Sequence, residues 1–440
     1  MDSLVPRFLI ARLYVDLMED KQSLKTLKSS PNKHSSEVLR ALDMAYGRSL
    51  KRIEMQSQAT ITVAKEVLSW MTFAKRPLTA AEISCALAIE PGKDVIDPED
   101  IPDIEDLVSV CADLVTNDDS TGLIRFRHPT MLHYLKQVGP PWFLDSESSI
   151  ATTCTAYLSL SVFKSGICQS DEEFAERLRS YSLYAYAARL WGDHARNASS
   201  LSPAIIDFLQ DKVLVEASNQ AMWISCSNSQ PYPRQVTGAH LAAYFGLDSA
   251  VSTLLSRGHQ PHCKDSNGET ALWWSAKVGH EDVTKLLCKK DTITLRLLLR
   301  QGEEDLAKVL LRYGVNVNTT DHRKRTPLHD AITLGSVELT KLLIVKGADV
   351  NTKDTNDVSP LRLALESKDL DLVNLLLDHS ANTLDCTPYQ WRRTFGKDTS
   401  DMLKLFEERK DGDYLHFVPQ ELHSEEAQTP ANTEGTRHLL

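Results

Sequence analysis

His259, His262 and Cys263 stand within one short stretch and carry donors that a transition metal takes. They follow Gly258 directly and no fourth ligand stands near, so a solvated loop without metal is expected. Asp193 and His194 are a carboxylate and an imidazole in sequence, but helix neighbours point ~100° apart and cannot by themselves form a base–orienter pair. Asp94, Asp97, Glu99, Asp100 and Asp103 offer oxygen ligands, yet lack the glycine and spacing of a calcium loop. No G-x-S-x-G elbow, H-E-x-x-H helix or G-x-x-x-x-G-K-[ST] phosphate loop occurs in the 440 residues, so no nucleotide is expected. The 8 cysteines share no C-x-x-C spacing and read as reduced thiols. The reading is of a non-enzyme: no catalytic residue, no metal and no cofactor.

The densest basic run is His322-Arg-Lys-Arg325. A hydrated loop, a nuclear signal and a contact for an acidic partner all remain open for Arg323, Lys324 and Arg325. Elsewhere the charge is acidic: 49 Lys and Arg against 60 Asp and Glu give a net of −11, spread evenly over the two halves. That balance excludes a bulk nucleic-acid binder. No stretch reaches the ~18 apolar residues of a membrane helix, so a cytoplasmic protein is expected, with the nucleus possible.

The residues around that run belong to a repeat. Thr326-Pro-Leu-His-Asp-Ala is followed 33 residues later by Ser359-Pro-Leu-Arg-Leu-Ala, and Thr237 and Thr270 open similar segments, again 33 apart. The Thr or Ser suits a helix cap, the Pro its first turn, and Gly246, Gly279 and Gly335 the turn into a second, leucine-rich helix. The segments resemble the ankyrin repeat, T-P-L-H-x-A with its following helix. The third unit is short, with helices expected at Thr294–Arg300 and Glu303–Arg312 and no proper finger, a weak link expected to split cooperativity. A degenerate sixth unit starts at Thr387. In this register Tyr244, Trp274, Lys277, Asp330, Thr333 and Arg362 face the groove of fingers and first helices, with Trp274 the leading anchor and Trp273 packed inside.

The amino-terminal half lacks the period. Ala64, Val67, Leu68, Met71 and Ala74 predict a helix, Thr79-x-x-Glu82 a capping box opening a second, Ile104–Val115 a third, Leu123–Phe126 a strand and Met131–Leu135 a further helix. That is a winged-helix order. Its second helix carries Glu82 and neither Lys nor Arg, so DNA reading is not expected.

Phe8–Leu13, Val67–Trp70 with Arg76–Leu78, Leu107–Val115, Ala187–Arg196 and Thr237–Gly246 resemble the carboxy-terminal part of fungal NACHT–ankyrin proteins, relatives of NOD-like receptors. The resemblance implies a mainly α chain. Its parts are a helical remnant at 1–58 resembling the end of a NACHT module, a winged-helix-like domain at 59–142 and a helical linker at 143–235. Ankyrin repeats at 236–410 and a disordered tail at 411–440 follow. In this resemblance the chain starts where the nucleotide module would be ending, and His128 stands where related receptors read nucleotide; here it more simply caps the next helix. The function implied is a protein–protein adaptor. Alternatives are an accessory protein of a fungal pathway, acting in transcription through protein contacts or in a biosynthetic gene cluster, and a hydrolase hidden in 1–235.

Overall fold

A computed structural model describes residues 46–118, 120–138, 141–223, 232–290 and 293–383. Phe8–Leu13, the sixth unit from Thr387 and the tail at 411–440 lie outside the described residues. The chain divides into two compact units between Leu287 and Cys288, and each is taken by itself.

The first unit opens with α1 (Gln58–Phe73), capped by the Ser57 side chain, which accepts the Thr60 N–H at 3.3 Å. Its Ala64, Val67 and Leu68 are wholly buried. Before α2 (Ala80–Leu87), Thr79 and Glu82 form a reciprocal box: the Glu82 N–H donates to Thr79 Oγ1 at 3.2 Å and the Thr79 N–H to Glu82 Oε2 at 2.8 Å. The third helix departs from expectation. It was read to Val115, but α3 (Ile104–Val110) stops a turn earlier. Ala112 and Asp113 take φ of 49° and 67°, the chain reverses, and Val115–Asp118 becomes β1, antiparallel to β2 (Leu123–Phe126). Pairing Val115 with Phe126 buries Val115 and Ile124, a gain that one more helical turn does not offer. The Ile124 N–H also donates to Leu78 O at 3.0 Å, tying the wing to the entry of α2. Then comes α4 (Pro129–Val138), before which His128 is exposed and its carbonyl accepts the Met131 N–H at 3.0 Å.

Five helices continue the unit: α5 (Ser146–Leu158), α6 (Asp171–Ser180), α7 (Tyr184–Asn197), α8 (Pro203–Gln210) and α9 (Lys212–Met222). Helix α7 packs along α5 and buries Tyr184, Tyr186 and Trp191 completely. The first repeat pair, α10 (Gly238–Phe245) and α11 (Asp248–Ser256), is seated on this layer: Trp191 meets Phe208 at 5.6 Å and Phe245 at 5.0 Å between ring centroids. Two glycines allow the approach. A β-carbon on Gly192 would stand 2.0 Å from Phe245 Cγ, and one on Gly238 would stand 1.9 Å from the Leu209 carbonyl oxygen. The second pair is α12 (Ala271–Val278) and α13 (Glu281–Cys288).

The second unit holds three further pairs. They are α14 (Thr294–Gln301) with α15 (Glu304–Arg312), α16 (Pro327–Leu334) with α17 (Val337–Val345), and α18 (Pro360–Ser367) with α19 (Leu370–Asp378). Helices α14 and α15 fall where the shortened third unit was read. Thr326 and Ser359 cap their helices, as Thr237 and Thr270 do in the first unit. The repeat histidines are neutral straps. His329 Nδ1 accepts the Thr326 N–H at 3.2 Å while Nε2–H donates to Val358 O at 3.3 Å, and burial pushes its imidazole below the usual range. His240 does the same for Thr237 and Glu269. Each first helix ends on a left-handed residue: Gly302, Gly335 and, where glycine is absent, Lys368 at φ 60°.

Candidate functional site

One aspartate organises each finger. Asp265, Asp321 and Asp354 donate their own N–H to the carbonyl four residues on and accept, on Oδ1, the N–H groups two and four residues on. This is an Asx turn, a short side chain standing in for backbone. The remaining oxygen distinguishes the fingers. Asp265 Oδ2 accepts from Trp274 Nε1 at 3.0 Å, whereas Asp321 Oδ2 accepts from Arg296 Nη2 at 3.0 Å and Arg300 Nη2 at 2.9 Å.

Arg296 and Arg300 lie one turn apart on α14 and also grip α16. Arg296 Nε donates to Asp330 Oδ2 at 2.9 Å and Arg300 Nε to Asp330 Oδ1 at 3.2 Å. Both aspartates thus receive both arginines. Arg296 and Asp330 are buried and the Arg300 side chain is half exposed. Burial alone would raise the Asp321 carboxyl, but the Arg325 backbone N–H and the Arg296 and Arg300 guanidiniums outweigh it and hold the carboxyl far below the usual range. Burial opposes the charge on Arg300, and the two aspartates more than offset that effect.

Beside this grip is a pocket of about 490 Å³, lined by the Leu299–Arg300 end of α14, finger residues Asp321, His322, Arg323 and Arg325, and Asp330, Thr333 and Leu334 of α16. Arg325 Nη2 donates to Thr333 Oγ1 at 2.7 Å, while its Nε is buried and has no acceptor among the described residues. Arg323 and Lys324 are exposed, and the Arg323 carbonyl accepts the Thr355 N–H of the next finger at 2.8 Å.

The residues read toward the groove meet different fates. Trp274 is a correction. It was expected as an exposed anchor, but it is 2% exposed because its indole folds beneath the finger to reach Asp265. Trp273 is also buried, its Nε1 lacks an acceptor among the described residues, and the Lys277 ammonium lies 4.1 Å over its ring. Tyr244 is half-buried against Trp223 and Trp274, and Lys277 is exposed. Asp330 is the second correction: it is buried and committed to Arg296 and Arg300, not offered to a partner. Thr333 is exposed and donates to His329 O at 2.8 Å; Arg362 is half-buried and pairs with Glu366 at 3.1 Å. The structure therefore gathers Thr333, Arg323 and Arg325 at one pocket, with Lys324 on the same finger. Sequence reasoning missed Arg296, Arg300 and Asp321; the i, i+4 arginine pair on α14 was the available signal.

It also passed over a buried relay in the first unit. The Lys75 N–H donates to Tyr186 Oη at 3.2 Å, Tyr186 Oη meets His194 Nε2 at 2.8 Å, and His194 Nδ1 meets Glu147 Oε2 at 2.5 Å. Lys75 Nζ returns to Glu147 Oε1 at 2.7 Å. A base and its orienting carboxylate are present, but the hydroxyl beyond them belongs to a fully buried tyrosine, and the ring of contacts closes on itself. In the winged-helix region Arg76 forms a bidentate pair with Glu82, with Nη1–Oε2 at 2.9 Å and Nη2–Oε1 at 2.5 Å, and stacks 5.0 Å from the Tyr186 ring. The arginine next to the second helix is thereby neutralised. Among the described residues no helix is long and apolar enough to cross a membrane.

Compared with known proteins, residues 52–151 match the family described as GPI inositol-deacylase, winged helix domain, and residues 239–297 and 295–386 match ankyrin repeats in 3 copies. The potassium channel AKT2/3 of Arabidopsis thaliana is 32% identical over 104 residues, which are 22% of this chain and 13% of the channel. The ankyrin repeat protein FPV223 of fowlpox virus (strain NVSL) is 34% identical over 109 residues, 23% of this chain and 77% of that protein. The likeness to the channel thus covers a small part of its length.

Proposed function

The chain belongs to the ankyrin-repeat proteins, and on that premise we propose that it is a non-enzymatic adaptor that binds another folded protein through its fingers and first helices. Ankyrin repeats are a non-catalytic interaction module. The observation that carries the reading is the set of side chains left toward solvent once internal pairing is complete: Lys277 in the first unit, and Arg323, Lys324 and Thr333 in the second. They stand on elements whose backbones are fixed by caps and Asx turns, so a partner meets a preorganised face. The winged-helix region is read as a protein-contact or spacing element, since the Arg76–Glu82 pair leaves its second helix without a cation for phosphate. In this reading the two modules work together in signalling, as the resemblance to NACHT–ankyrin proteins implies.

The test is quantitative affinity capture from the native host, comparing the wild-type chain with Lys277→Glu/Lys324→Glu. Proteins enriched by the first and lost with the second, with unchanged circular dichroism, support the adaptor. Identical partner sets for both, or none for either, refute it.

A further inference from the structure

We propose that the pocket between α14, α16 and the finger at 319–325 receives a carboxylate side chain from an acidic segment of the partner, held by Arg323 and Arg325. The proposal rests on the adaptor reading and specifies its chemistry.

The charge balance of the pocket carries the inference. Asp321 and Asp330 accept with both oxygens and are offset by Arg296 and Arg300. Arg325 is paired only loosely, its Nη2 4.0 Å from an Asp330 Oδ1 that Arg300 already occupies at 3.2 Å, beyond hydrogen-bond reach. Arg323 is left over, since its side chain has no partner among the described residues. Four guanidiniums, of Arg296, Arg300, Arg323 and Arg325, thus share two carboxylates, which leaves an excess of positive charge at the pocket. The hydrogen bonding of Arg325 is also incomplete, because Nη2 donates to the Thr333 hydroxyl and, at 3.4 Å, to His329 O, while the buried Nε has no acceptor among the described residues. A carboxylate replacing that hydroxyl takes Nε and Nη2 together, the fork arrangement that guanidinium groups favour.

The surroundings select a protein segment over other anions. Leu299 and Leu334 line the pocket, and Leu334 is 38% exposed, so the occupant brings hydrocarbon beside its charge. About 490 Å³ accommodates one or two side chains. The chain as a whole carries a net charge of −11, which repels a long polyanion while leaving one local basic finger able to pair. That finger is held in place: the Arg323 N–H donates to Asp321 Oδ1 at 2.8 Å and its carbonyl is anchored by Thr355, so little ordering is needed on binding.

The full chain is titrated into a fluorescein-labelled peptide of alternating Glu and Leu, and polarisation is followed. Saturable binding that weakens with salt is expected, with loss of about tenfold or more in affinity for Arg323→Ala and for Arg325→Ala. Arg323→Ala is the safer variant for folding, because that side chain supports nothing else. The same peptide with Gln for every Glu should not bind. Absence of wild-type binding, equal affinity of the Gln peptide, or unchanged affinity in Arg323→Ala overturns the proposal. Displacement of the peptide by inorganic phosphate at comparable concentration also overturns it, since the site then takes any small anion. Host partners that depend on Lys277 and Lys324 while the peptide fails to bind leave the adaptor standing without this pocket; peptide binding without any host partner does the reverse.

Discussion

His194 and Glu147, on helices 47 residues apart in sequence, share a buried hydrogen bond whose two far ends both return to Lys75. The ring ties the end of α1 to α5 and α7. It also fixes a protonation state: neutral imidazole, ionised carboxylate. Burial pushes His194 below the usual histidine range against the pull of Glu147. In Glu147 the bonds from His194 and Lys75 overcome the effect of burial and lower the carboxyl.

A pH dependence follows. His194, His240 and His329 all titrate lower in the fold than their ordinary value of about 6.5. On acidification the unfolded chain takes up these protons first. The stability they contribute is complete above about pH 6.5 and is lost as pH falls toward the folded values. Glu66 and Glu216, raised by burial, act in the opposite sense but in the lower carboxylate range. Thermal midpoints should therefore fall between about pH 7 and about pH 6; a flat or rising midpoint contradicts the assignment.

The two adjacent tryptophans should respond differently to the same change. Trp274→Phe removes the indole bond to the Asp265 carboxylate, and a bond of that kind is worth about 1.5–3 kcal/mol. Trp273→Phe opens a gap of the same size but breaks no hydrogen bond, since its N–H has no acceptor among the described residues, so its loss should be the smaller of the two. Urea denaturation of both variants decides; equal losses would show that ring packing dominates.

Asp330→Ala leaves Arg296 held by Asp321 alone, with its Nε robbed of an acceptor inside the fold. Breaking a buried pair by removing one partner costs about 3–5 kcal/mol. The half-exposed Arg300 can turn to water, so the lower end of that range is expected. A measured loss below about 1 kcal/mol would place this pair among ordinary surface ones.

Gly192→Ala should cost about 1–3 kcal/mol or more, because the new methyl overlaps the Phe245 ring. Adding Phe245→Leu should recover part of the loss, and a double-mutant cycle reports the coupling directly. Strictly additive losses would mean that the helix shifts without regard to Phe245.

The repeat was legible because its signals are local and periodic. Thr237, Thr270, Thr326 and Ser359 cap where their spacing says, and glycines follow at the left-handed positions of the first three of these helices. The Thr79–Glu82 box and strand Leu123–Phe126 were legible for the same reason. Strand Val115–Asp118 was not, because apolar spacing from Ile104 runs on through Val115 and conceals the reversal at Ala112 and Asp113. Trp274 was misplaced because the repeat register gives a residue's face but not where a long side chain folds. The basic finger was visible as composition. Its partners were not: Arg296 and Asp330 are 34 residues apart, and nothing local couples them.

The fit of Gly192 under Phe245, together with that of Gly238 against Leu209, bears on how such a chain can change over evolutionary time. Repeat arrays grow and shrink by duplicating whole units. A copy inserted ahead of Thr237 would present a new first helix to α7 and α8, and would be accommodated only if it again set glycine against the Leu209 carbonyl and a side chain that fits over Gly192. Gain and loss of units should therefore concentrate after Thr270, leaving the junction at Gly238 as the least negotiable part of the array.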